Sequence, residues 1–241
     1  PQPCPSGCLY GSETMSYIHQ FVFGIYPYIA LAIFLFGSLM RFEREQYSWK
    51  TESSQLLHRG QLRLGNILFH VGILGLFFGH LFGMLTPVAI WDALGIEHGT
   101  KQVIAMTAGG IMGLICLAGL IILIKRRFSS ERLMVNSTWR DKLVLVWILL
   151  TLILGLFTII ASAQHTDGEE MVKLMTWAQH IVTFNVDAAA YIVDASWIFK
   201  LHKFMGMSLF VIFPFTRLVH IWSGFGALTY LRRSHQLVRR R

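Results

Sequence analysis

The chain has 241 residues, of which 54% are hydrophobic and only 14% charged, against roughly 25% charged in an ordinary soluble domain. Its net charge of +8 lies in polar segments between apolar stretches, which points to membrane topology and excludes nucleic acid as the partner. Five of those stretches reach the length of about 20 residues that a hydrocarbon core of about 30 Å demands, and the chain is too short to cover five such helices as a soluble protein.

The expected fold is therefore all-α, an integral membrane bundle of five helices near 17–40, 65–86, 103–124, 143–161 and 201–222. Residues 1–14 read as an N-terminal extension, either disordered or upstream of a start at Met15, ahead of a five-helix domain over 15–241. Cys4 and Cys8 in that extension can form a disulfide, while Cys116 in the third helix reads as a packing residue. The first helix ends at Arg41, and the polar loop around 43–61 is long enough for a short helix. Helix two carries Gly65, Gly72, Gly75, Gly79 and Gly83, which let a helix or a flat ligand approach the backbone, and Pro87 closes it. Helix three has Gly109, Gly110 and Gly113 and stops at Lys125, Arg126 and Arg127. After helix four comes a connection over 162–200, longer than ordinary loops. Within it, 171–184 has helical periodicity and reads as an interfacial helix or a lip over a site. Helix five runs through Pro214, where a kink is expected.

Charge orients the bundle. The segments 41–64, 125–142 and the tail after Trp222 hold sixteen Lys and Arg residues. The other side has only Lys101, Lys173 and Lys200. The positive-inside rule then places the N-terminus outside and the C-terminus inside. Lys203 is expected to snorkel outward.

Four histidines interrupt the apolar stretches, His70 and His80 on helix two, His202 and His220 on helix five. Ionisable side chains within a span are costly and usually functional. The two helices run in opposite directions, so equal depth pairs His80 with His202 on the outer side and His70 with His220 on the inner side. Imidazole is a standard axial ligand of haem iron, and no Asp or Glu lies within the five apolar stretches, as a proton or divalent-metal path would normally require. Two bis-histidine haems are the reading, against packing histidines or a haem-free transporter or scaffold. The spacings are unequal: ten residues on helix two rise roughly 15 Å and eighteen on helix five roughly 27 Å. Arg217, three residues before His220, either pairs a haem propionate or snorkels. His19, His58, His98, His165, His180 and His235 lie near span ends or in polar segments, with His165 and His180 as candidates to line an outer pocket.

Several segments resemble the gamma, or cytochrome b, subunit of respiratory nitrate reductases. They are Ile25-Tyr26-Pro27-Tyr28-Ile29-Ala30, Leu68-Phe69-His70-Val71-Gly72-Ile73-Leu74-Gly75, Gly79-His80, Phe82-Gly83-Met84-Leu85-Thr86-Pro87, Ser162-Ala163-Gln164-His165, Phe213-Pro214-Phe215 and His220-Ile221-Trp222. The resemblance runs from Met15 to Arg239. It implies a prokaryotic cytoplasmic-membrane subunit with two haem b groups, the inner held by His70 and His220, the outer by His80 and His202. It implies quinol oxidation near the outer haem, with Lys101 and Gly79 in the quinol pocket. Electrons would pass to an iron–sulfur beta subunit and a molybdenum alpha subunit that reduces nitrate at the inner face. The alternative within the class is a cytochrome b subunit of another quinone-linked oxidoreductase, such as a nitrite oxidoreductase.

Overall fold

A computed structural model describes residues 17–44, 59–135, 137–164 and 166–223, and among these every regular element is helical. Helix α1 (Tyr17–Arg44) contains a π turn at Phe21–Ile25. It is followed by α2 (Arg59–Leu85), the short α3 (Val88–Ala93) and α4 (His98–Phe128). Then come α5 (Glu131–Val135), α6 (Trp139–Ser162), α7 (Glu169–Val182) and α8 (Trp197–Ile212). Five of the described helices, α1, α2, α4, α6 and α8 with its following turn, are long and apolar enough to cross a membrane. The expected extension over 1–14, most of the 43–61 loop, His58, His165 and His235 lie outside the described residues.

The helices overrun the apolar stretches because Lys, Arg and Gln at their ends are good helix formers; α2 begins six residues early and α1 continues to Arg44. Local chemistry sets several ends. Pro87 follows α2 and cannot extend it. Thr138 and Asp141 form a capping box at the start of α6, satisfying two otherwise unpaired backbone N–H groups. Asp141 is thus a carboxylate inside a span helix, at its first turn and buried, although it lies outside the apolar stretch. The short α3 and α5 carry too few residues for any periodicity to announce them.

Packing starts from a tight seam between α2 and α4. A Cβ on Gly72 would lie 2.5 Å from the Cys116 backbone nitrogen, and one on Gly119 would overlap the backbone of Phe69. From α4 the bundle continues through α6 and α8 to α1, with Cys116, Leu120, Val144, Ile148 and Leu152 forming a buried cluster.

One end of the bundle is covered by α7, which lies two residues ahead of the expected 171–184 at both ends and is fastened to several helices. The Trp177 Nε1–H donates to Phe23 O in the π turn of α1, 2.9 Å away. Gln179 Nε2 donates to Met84 O and Thr86 O at the end of α2, both at 3.1 Å. A second buried cluster, including Phe23, Trp177, Ile181 and Ile192, lies beneath.

The fifth span departs from the expected kinked helix. Helix α8 ends at Ile212, two 3-10 turns follow at Phe213–Phe215 and Arg217–Val219, and Thr216 between them is extended. Pro214 alone removes one N–H; the larger break persists because the guanidinium of Arg41 reaches across from α1. Its Nη1 donates to Pro214 O at 2.6 Å and Thr216 O at 2.8 Å. Gly37 makes room, since a Cβ there would sit 2.8 Å from Pro214 Cγ. The eighteen residues from His202 to His220 are therefore not eighteen residues of straight helix, which removes the objection raised by the unequal spacings. Arg41→Leu strands both carbonyls, each worth about 1–3 kcal/mol when buried without a partner. Thermal unfolding in detergent should drop accordingly, read by circular dichroism; an unchanged melting curve would mean that the break does not depend on Arg41.

Candidate functional site

The structure brings the four span histidines together in two pairs. His80 of α2 and His202 of α8 have ring centres 6.1 Å apart, toward the α7 end. His70 of α2 and His220, beyond the break, have centres 6.2 Å apart toward the opposite end.

Each ring is held by one nitrogen. Nδ1 lies 2.8 Å from Asn66 O in His70, 2.7 Å from Leu76 O in His80, 3.1 Å from Thr151 O in His202 and 2.7 Å from Arg217 O in His220. A carbonyl only accepts, so each Nδ1 carries a proton, and in a neutral imidazole Nε2 is then the nitrogen with the lone pair. That is the arrangement of metal-ligating histidines, where the second ring nitrogen is fixed by a hydrogen bond. On α2 both carbonyls come from the preceding turn of the same helix. On the α8 side they come from α6 and from the broken segment. Gly155 of α6 lies against His202, for a Cβ there would meet its Cε1 at 2.9 Å. Trp147 fastens the same two helices by donating from Nε1 to Met205 O at 3.1 Å.

The separation fits an iron shared by two imidazoles. A bond of about 2 Å to each nitrogen, with roughly 1 Å more to the ring centre, puts the centres about 6 Å apart. Around the pairs the helix surfaces allow a flat macrocycle, because a Cβ on Gly79, Gly83 or Gly206 would meet nothing within 4 Å. Gly79 precedes His80, Gly83 lies one turn beyond it, and Gly206 one turn beyond His202. The span histidines come as pairs, and a pair of imidazoles is what axial haem ligation uses.

A model of the nitrate reductase gamma subunit family matches residues 19–241. The chain belongs to that family. It is 49% identical over 228 residues to the respiratory nitrate reductase 1 gamma chain of Escherichia coli (strain K12), covering 94% of this chain and 100% of the relative. The respiratory nitrate reductase 2 gamma chain of the same organism is 43% identical over 227 residues, 94% of this chain and 99% of the relative. The nitrate reductase gamma chain of Bacillus subtilis (strain 168) is 34% identical over 222 residues, 92% and 98% respectively.

In this member of the gamma subunit family, Lys101 is buried at the α7 end rather than standing in solvent. Its Nζ is 2.8 Å from Met175 Sδ and 4.2 Å from the centre of the Trp91 ring. Thioether sulfur is a weak acceptor, so an oxygen acceptor entering beside α7 can replace it. Lys203 does not snorkel outward. It is buried, with Nζ 3.7 Å from the centre of the Trp177 ring and 3.5 Å from Leu174 O. Its position one residue after His202 turns it about 100° away, toward α7, where its side-chain nitrogen lies over the Trp177 ring.

Arg217 Nε lies 3.6 Å from Asp141 Oδ1, and Arg127 Nη1 lies 3.8 Å from the other oxygen of that carboxylate. Asp141 thus ties α4 and α6 to the segment that presents His220. The remaining described histidines have local partners. His19 Nε2 lies 3.0 Å from Ala189 O, His180 stands edge-on to Tyr191 with centres 4.5 Å apart, and His98 faces Asp92 at 3.6 Å. The carbonyl partners of the four span histidines, Gly155, Gly206 and Asp141 did not emerge from the sequence; only the one-turn spacing of Gly206 from His202 was available as a signal.

Proposed function

We propose that this subunit binds two haem b groups and oxidises quinol at the outer face of a prokaryotic cytoplasmic membrane, passing electrons inward for nitrate reduction. The two histidine pairs carry this reading: their rings are spaced for a shared iron, each with Nδ1 committed to a carbonyl. The distribution of Lys and Arg supports an outside N-terminus and inside C-terminus. The α7 end is then outer, with His80 and His202 as ligands of the outer haem and His70 and His220 as ligands of the inner one.

Bound haem would supply one-electron chemistry; the chain supplies position. Lys101 offers its ammonium to a quinol oxygen in place of Met175, and the bare backbone at Gly79 lets the ring lie close to the outer pair. Arg217, whose Nε lies 3.6 Å from Asp141, would hold a propionate of the inner haem, and its carbonyl orients His220. The inner pair lies at the end where the basic segments gather, and there the iron–sulfur beta and molybdenum alpha subunits would receive electrons. The curated relatives are named as gamma chains of nitrate reductases, which favours nitrate over another terminal acceptor.

A pyridine haemochrome assay on the purified chain should return two b-type haems per polypeptide, and a haem-free chain would refute the reading.

A further inference from the structure

Next to Lys101 the chain carries a titratable pair that the electron path does not use. His98 precedes Lys101 by three residues on α4, so the two share a helix face. His98 Nε2 lies 3.6 Å from Asp92 Oδ1 on α3. That nitrogen is buried and makes no hydrogen bond within range, yet the two side chains as wholes are 41% and 55% exposed. Trp91, the neighbour of Asp92, lays its ring against Lys101, and the charge of Asp92 acts on Lys101. One short helix therefore touches Lys101 through one residue and His98 through the next. The loop before α7 fixes His98 from behind, since a Cβ on Gly168 would lie 2.6 Å from the His98 carbonyl carbon.

We propose that His98, supported by Asp92, is the base that takes protons from quinol at Lys101 and releases them to the outer solution. This rests on the quinol reading above and extends it. Oxidising one quinol breaks two O–H bonds; two electrons leave singly through the histidine-held path, and two protons must go to a base. Lys101 is the donor to the quinol oxygen, so it cannot also be the acceptor. Imidazole is the side chain suited to gain and lose a proton near neutral pH. His98 accepts each proton at the buried Nε2, the carboxylate at 3.6 Å stabilises the imidazolium, and the exposed part of the pair passes the proton to water before the next arrives. Other charged groups on the surrounding elements are Glu97 beside His98, and Asp167, Glu169 and Glu170 around the start of α7, with Lys173 3.5 Å from Glu170.

The test uses the assembled complex in membrane vesicles with His98→Gln and Asp92→Asn. Haem absorbance shows whether each variant is loaded, and nitrate reduction is driven either by a quinol analogue or by a reduced soluble dye that bypasses this subunit. The expected result is normal haem absorbance and dye-driven turnover, with quinol-driven kcat lowered about ten-fold or more in His98→Gln, as loss of a positioned base requires. The rise of quinol-driven rate with pH should flatten in His98→Gln. In Asp92→Asn, where His98 loses its carboxylate partner at 3.6 Å, the quinol-driven kcat should fall by a smaller factor with dye-driven turnover unchanged. Quinol-driven rates and pH profiles matching wild type in both variants would overturn the proposal, as would equal losses of quinol-driven and dye-driven turnover, the mark of a merely structural pair. A wild-type complex lacking b-type absorbance would overturn the quinol reading itself and this one with it.

Discussion

A complex carrying His80→Leu should contain one haem b in place of two and lose quinol-driven nitrate reduction, while dye-driven reduction at the catalytic subunit continues. The ring of His80 stands 6.1 Å from that of His202, and leucine offers no lone pair to a shared iron. His202 would keep its seat on Thr151 O and against Gly155, so the outer site loses a ligand without losing its frame. Removing a hydrogen-bond partner of a metal ligand typically costs 10–100-fold; removing the ligand should exceed this, giving a fall of more than about 100-fold in quinol-driven turnover. Haem quantification and paired quinol and dye assays decide it. Quinol-driven turnover within about two-fold of wild type would place electron entry elsewhere.

Gly72→Val should prevent the bundle from assembling. The added Cβ would lie 2.5 Å from the backbone nitrogen of Cys116 and 2.6 Å from its Cα, and a helix backbone cannot turn aside as a side chain can. Relief requires α2 to move away from α4, carrying His70 and His80 with it. Overpacking a core typically costs about 1–3 kcal/mol, and contact with rigid backbone puts this site at the upper end or beyond. Membrane accumulation, followed by in-gel detection and haem absorbance, should fall about ten-fold or more. Gly79→Ala is the contrast: a Cβ there meets nothing within 4 Å, so that variant should accumulate normally and any loss should appear in quinol turnover. Normal accumulation of Gly72→Val would mean that the seam between α2 and α4 is looser than this geometry.

The helices were readable because apolar runs of membrane length leave few other folds, and 171–184 was readable from its periodicity. The pairing of histidines followed from charge and helix direction, which fix depth without any knowledge of distance. What the sequence concealed depends on contacts between distant residues. Whether Pro214 kinks a helix or ends it is decided by Arg41, which supplies donors from 173 residues away. Lys203 looks like an interfacial anchor until Trp177 covers it. Asp141 reads as a loop residue until Arg127 and Arg217 converge on it. The second partner of each histidine, a carbonyl, is invisible to composition because every residue has one.

The partners of α1 have a bearing on how the chain is made. Its principal contacts are with α8, with the turn at Phe213–Phe215 and, through its π turn, with Ala188–Ile192, and its side-chain bonds reach Ser208 and Pro214. Helix α1 is therefore synthesised well before α8 and waits for it. Until then, Arg41 has no broken segment to bind. Contacts of such sequence separation form late, and partly built chains with unpaired surfaces are the ones that misassemble. Synthesis that stops before α8 would leave α1 without its principal partner.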